Sequence, residues 1–234
     1  MPLSPLPEEN FNNILSFLNR STLHKCLFVN RYFCKLSIPI IWRNPFGNSC
    51  TNGLLINTLL KCLNEDEISS LIPYGININH QTPLFEYETF VRKFDHCYCV
   101  IRILSWLPPM VDQYFIIQKL IDVIYHMLMR ARSNMKEFVI FLDHESYNLP
   151  DISNVTTYSS GIANLKYLEV EIMYDIRWQN TIKFLSILSK VCNGIVKFKL
   201  WILQTNKEII TPILDIIKSQ PINNMSTYMY KNSY

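Results

Sequence analysis

The chain has 234 residues, 49% hydrophobic and 18% charged, with 22 basic against 19 acidic side chains. That balance fits one or two globular domains, and the small positive excess gathers into no basic stripe, so a nucleic-acid partner is not expected. The five scattered glycines, Gly47, Gly53, Gly75, Gly161 and Gly194, exclude the G-x-G-x-x-G and Walker phosphate loops, and G-x-S-x-G and H-E-x-x-H are absent as well. No apolar run reaches the roughly 18 residues of a membrane span, and the N-terminus lacks a basic and apolar leader. We therefore expect a cytoplasmic and/or nuclear protein without a membrane partner, its seven cysteines held as free thiols in a reducing compartment.

Along the chain, Phe11, Ile14, Leu15 and Leu18 follow Leu6-Pro7 at i, i+3, i+4 and i+7, which predicts an amphipathic helix ending near Asn19. Ser21 is placed to cap a second helix presenting Leu23, Cys26 and Leu27, with Val29 near its end; Asn30 is placed to cap a third carrying Phe33 and Leu36. Pro39 should end or kink that third helix ahead of Ile40-Ile41-Trp42. Three short helices in so few residues bury little alone and call for a partner or for docking on the rest of the chain.

The run from Leu6 to Leu36, L-P-E-E-N-F-N-N-I-L-S-F-L-N-R-S-T-L-H-K-C-L-F-V-N-R-Y-F-C-K-L, resembles an F-box, with Leu-Pro at 6 and 7, Ile14, Leu18, Leu23, Val29, an aromatic at 33 and Trp42. It departs from that family at Asn10, where an apolar residue is usual. The resemblance implies a three-helix unit over 1–48 that binds the Skp adaptor and, through it, a cullin. Leu6, Pro7, Phe11, Ile14, Leu18, Leu23, Cys26, Val29 and Trp42 would be divided between the unit's small core and the adaptor interface. The wording from Cys26 to Pro45 is similar to large fungal families that join an F-box to divergent leucine-rich repeats.

Residues 49–132 read as a helical bridge. Leu54, Leu55, Leu59, Leu60 and Leu63 mark one helix, and Asn64 with Glu67 marks the cap of another that stops before Pro73-Tyr74-Gly75. A third is predicted from Leu84 to Phe94, and a longer one from about Val111 to Arg132 with Phe115, Ile116, Leu120, Val123, Ile124, Met127 and Leu128 inward. Between them, Tyr98-x-x-Ile101-x-Ile103 fits either a strand or a buried turn. Arg130, Arg132 and Lys136 are the densest cationic stretch, and cations near a helix C-terminus suit its dipole without any ligand.

Residues 133–234 carry an internal repeat. Segments starting at Asn134, Asn164, Gly194 and Asn224 share an L-x-x-L-x-L register at a spacing of 30, with helical spacing over 179–192 and 207–218 between them and Pro212 placed to restart or kink the second helix. Strand then helix at that period predicts a short leucine-rich-repeat-like solenoid, so the fold class expected is mainly α with α/β repeats. The fourth unit should leave an exposed or loosely covered C-terminal edge. Outward positions Lys136, Glu137, Glu169, Glu171, Lys197, Lys199 and Trp201 are the expected substrate-facing residues, with an ordinary solvated sheet face as the alternative.

Catalytic chemistry is not indicated. Asp95-His96-Cys97-Tyr98-Cys99 holds several metal-capable side chains, but no second ligand pair accompanies it, so neither a metal nor any other cofactor is expected. A thiol hydrolase built on Cys97 or Cys99 with His96, His80 or His126 lacks a local signature, and Asp143-His144-Glu145 reads as a solvated loop. The leading expectation is a non-enzymatic receptor subunit of an SCF-type cullin-RING ubiquitin ligase, whose repeats hold a protein substrate. The alternative is a structural or decoy interaction module that transfers no ubiquitin.

Overall fold

A computed structural model describes residues 7–47, 53–78, 82–109, 113–130, 134–142, 147–152, 161–173, 178–202 and 207–229. The chain is mixed α/β: helices α1 (Glu8–Ser16), α2 (Arg20–Cys26), α3 (Arg31–Ile41), α4 (Leu54–Leu60) and α5 (Glu65–Ser69) precede a five-stranded parallel sheet. Its strands are β1 (Lys93–Asp95), β2 (Glu137–Leu142), β3 (Tyr167–Ile172), β4 (Lys197–Ile202) and β5 (Asn224–Met229), adjacent in chain order. Helices α6 (His96–Trp106) and α7 (Tyr114–Arg130) lie between β1 and β2, α8 (Trp178–Val191) between β3 and β4, and α9 (Lys207–Ser219) between β4 and β5. Parallel neighbours need such crossovers, because a strand cannot turn tightly into a parallel partner. None of the described helices is long and apolar enough to cross a membrane.

Asn19, not Ser21, caps α2, its side chain accepting from the Thr22 N–H at 2.9 Å, and Asn30 caps α3 through Phe33 N–H at 2.9 Å. Pro39 sits inside α3 without ending it, and Ile38 before it and Ile41 beyond it are buried. Leu15, Leu23, Leu36 and Ile41 form a small core separate from the main one, with Trp42 packed against both. The Asn64 and Glu67 pair makes a reciprocal capping box at 2.8 Å in each direction, and Glu67 also holds Arg130 through two contacts of 3.1 and 3.0 Å. Arg130 therefore tethers the end of α7 to the start of α5.

Three expectations for the bridge are corrected. Residues 87–90 form a single 3-10 turn, and Lys93–Asp95 is the first strand of the sheet rather than the end of a helix. The Tyr98 to Ile103 stretch belongs to a helix, α6, whose N-cap Asp95 accepts from the Tyr98 N–H at 3.1 Å. Phe115 and Leu54 point outward, at 71% and 68% exposure, while Leu120, Val123, Ile124, Met127 and Leu128 are buried as expected.

In β2 and β3 burial alternates strictly, and Phe138, Ile140, Leu168, Val170, Phe198 and Leu200 fill the side of the sheet that faces the helices. Each such side chain stabilises the fold by about 1.5–3 kcal/mol relative to exposure. Phe94, Phe138 and Phe184 stack in sequence, 5.5 and 5.6 Å apart, with Tyr125 edge-on to all three. Gly161 lies against the end of α7; a Cβ there would meet backbone of Leu128 and Met129 at 2.8 Å, so only glycine allows this approach.

Register is pinned by a repeated device. Just ahead of each strand, one carbonyl accepts two successive N–H groups from the neighbouring unit: Arg43 from Arg92 and Lys93, Arg92 from Lys136 and Glu137, Lys136 from Lys166 and Tyr167. Lys166 then accepts from Val196 and Lys197, and Val196 from Asn223 and Asn224, at 3.0–3.1 Å. The series thus begins at Arg43, immediately after the N-terminal helices. β2, β3 and β4 pair at the expected spacing, Phe138 with Leu168 and Leu168 with Phe198. The fourth segment does not: Phe198 pairs with Met225, and Tyr228 falls opposite Trp201. Beside β4, β5 forms an edge of the sheet, with Met225 and Tyr228 at 43% and 48% exposure.

A candidate protein-interaction surface

On the N-terminal helices, the residues expected to meet an adaptor are divided by burial. Pro7, Ile14 and Val29 are exposed; Phe11, Leu18, Cys26 and Trp42 are half-buried; Leu23 is buried in the small core; Leu6 lies outside the described residues. Two larger apolar side chains are more exposed than Ile14 and Val29: Phe17 and Phe28, both at 88%. Tyr32 adds a ring on α3 that meets Phe11 of α1 edge-on at 5.7 Å. Helical periodicity could not find Phe17 and Phe28, because it identifies the face a helix buries; the signal is an aromatic that falls off that stripe. Apolar side chains this exposed, several to one small unit, are the usual mark of a docking surface.

The open face of the sheet is the second candidate. It carries Glu137 on β2, Tyr167, Glu169 and Glu171 on β3, Lys197, Lys199 and Trp201 on β4, and Tyr228 on β5. Lys136 is corrected: it precedes β2, shares the register parity of buried Phe138 and lies at the end of the sheet near Arg92, so it is not on this face. The charges there answer one another. Lys199 reaches Glu169 at 3.7 Å and Lys93 reaches Glu137 at 3.4 Å; Tyr167 donates its hydroxyl hydrogen to Glu169, and Lys197 and Lys199 lie 5.4 and 5.7 Å from the Tyr167 ring centre. Burial, then Glu169, raises the Glu171 carboxyl, and the same causes raise the Tyr167 phenol. Trp201 and Tyr228 stack at 3.8 Å and 15°.

The Asp95 to Cys99 cluster has a structural role. His96 is fully buried, with Nδ1 at 2.8 Å from the Tyr125 hydroxyl and Nε2 at 3.3 Å from the Tyr147 carbonyl. A carbonyl only accepts, so Nε2 carries the hydrogen and Nδ1 accepts from Tyr125. Burial pulls His96 down to about 4, so the ring stays neutral. Burial raises the Cys99 thiol and pushes Cys192 and Cys62 up to about 12, which keeps these sulfurs out of the nucleophilic thiolate form. Among the described residues no three His, Cys, Asp or Glu side chains gather in a way that could hold a metal ion. His80 and Asp143-His144-Glu145 lie outside the described residues.

No family model, curated protein or solved structure matches this chain.

Proposed function

We propose that this chain is the substrate-recognition subunit of an SCF-type cullin-RING ubiquitin ligase. Its N-terminal helices would be the F-box that binds the Skp adaptor, and its strand and helix units a divergent leucine-rich-repeat-like solenoid that holds a protein substrate. The observation that carries the reading is the combination of the F-box-like run over 6–36 with exposed Pro7, Ile14, Phe17, Phe28 and Val29 on those helices and at their ends. The receptor would form or break no bond itself; it would raise the local concentration of substrate beside the ubiquitin-charged enzyme.

The test is co-purification of the full chain with the Skp adaptor and cullin. We expect a ternary complex, lost on Ile14→Asp with Val29→Asp, since both side chains are exposed and their replacement spares the small core. Failure to bind adaptor, or binding indifferent to that double substitution, overturns the proposal. Adaptor without cullin would point to a decoy that transfers no ubiquitin.

A further inference from the structure

Where the N-terminal helices meet the end of the sheet, a groove of about 890 Å³ opens between α1, α3 and the segments leading into β1 and β2. Its walls bring together Lys35, Arg43, Arg92 and Lys136 with the rings of Phe85 and Phe90. Glu8 is the one carboxylate among the residues lining it.

The concentration of charge follows from the register device. Arg43, Arg92, Lys136 and Lys166 are the first four of the five residues whose carbonyls accept the paired N–H groups of the next unit, Val196 being the fifth, so they occupy equivalent stations along one end of the sheet. Adjacent stations are about 4.8 Å apart, the spacing of paired strands. Four cations are thereby stacked in a row by backbone pairing. Burial and then Arg43 lower the Arg92 guanidinium, and burial and then Lys166 and Arg92 lower the Lys136 ammonium. On the open face of the sheet, by contrast, lysines and glutamates are already paired. Among the described residues, no carboxylate forms an ion pair with any of the four cations of the row.

We propose that this groove binds an acidic peptide segment of a partner protein, its carboxylates on Lys35, Arg43, Arg92 and Lys136 and an apolar side chain against Phe85 and Phe90. The cations come from different segments and are spread along the groove, which suits separated single charges better than one concentrated dianion. Single-stranded nucleic acid is the other polyanion that such cations attract, and the test below separates it from a peptide. The site is defined by the sheet end and does not depend on the ubiquitin-ligase reading.

Fluorescence anisotropy of the full chain with a short Asp/Glu-rich peptide carrying one central Phe tests this. We expect saturable binding that weakens as salt rises, and about a tenfold or greater loss in Arg43→Glu with Lys136→Glu, because reversing two charges replaces attraction by repulsion. Near-UV circular dichroism checks that the variant keeps its fold, while Glu169→Lys on the open face should leave the affinity unchanged. No binding at low salt, equal binding by the charge-reversed variant, or tighter binding of a single-stranded RNA of matching charge overturns the proposal. Adaptor capture by the same charge-reversed variant should be intact, which separates failure here from failure of the adaptor reading.

Discussion

His96 shows how one buried side chain sets a pH dependence. Its ordinary value is 6.5 and its folded value about 4, so on acidification the unfolded chain takes up a proton that the folded chain refuses. The contribution is complete above about pH 6.5 and is lost progressively as pH falls toward 4, reaching about 3 kcal/mol over that interval. Asp95 and Asp122 oppose it: burial raises both carboxyls, so near their own range they favour the protonated folded chain. Urea unfolding of wild type and His96→Gln at pH 5 and pH 7 separates the effects. The wild type should lose stability between those pH values and the variant should lose distinctly less; identical slopes would remove His96 from the account. None of this was legible in the sequence, where His96 stood only as one of five metal-capable or polar neighbours. Its partners, Tyr125 and Tyr147, come from distant segments that only the packed fold brings together.

At the scale of elements, legibility tracked how regular the spacing is. β2, β3 and β4 could be read because burial alternates within each and the unit length is constant from one to the next. β1 could not: Leu84, Tyr87, Phe90, Val91 and Phe94 mimic helical spacing, and the strand is only three residues long. β5 was placed in the wrong register for a different reason. The unit from β4 to β5 is one residue shorter than its predecessor in each of three places: the segment entering the helix, the helix itself (13 residues against 14) and the segment leaving it. Met225 and Tyr228 are both apolar, so either can be set opposite Phe198 on pattern alone. Geometry decides through Gln220, which donates to the Cys192 carbonyl at 2.6 Å and accepts from the Ile195 N–H at 3.3 Å, fixing the chain just before the strand. β5 pairs with β4 and forms an edge, and we expect its amides to exchange faster than those of β3, which is flanked on both sides. Hydrogen exchange read by mass spectrometry checks this; equal protection of the two strands would show that something covers the edge.

At the scale of the whole molecule, two hydrophobic clusters of unequal size share one side chain among the described residues. Among the described residues the cluster within the N-terminal helices has four buried side chains, a core too small to be stable by itself, whereas the main cluster runs from Phe46 to Ile216. The connection is Trp42, which packs against both clusters and lies 4.5 Å from the Tyr87 ring, followed by the Arg43 carbonyl that starts the register series. Resemblance drew attention to Trp42 as a member of the N-terminal unit; its position shows that it also couples that unit to the sheet. The helices that expose Ile14, Phe17, Phe28 and Val29 should therefore be the least stable part of the folded chain, held in place by docking. Trp42→Ala removes ring contacts on both sides, and for a half-buried tryptophan the cost should fall at or below the lower end of the roughly 3–5 kcal/mol seen for buried ones. We expect exchange in α1 and α2 to accelerate strongly in this variant while α7 and β3 keep most of their protection. Uniform acceleration through α7 and β3 would mean that the two clusters unfold as one cooperative unit. A partner bound to the exposed apolar side chains should reverse the effect, because binding energy supplied to α1 and α2 restores what docking through Trp42 provided.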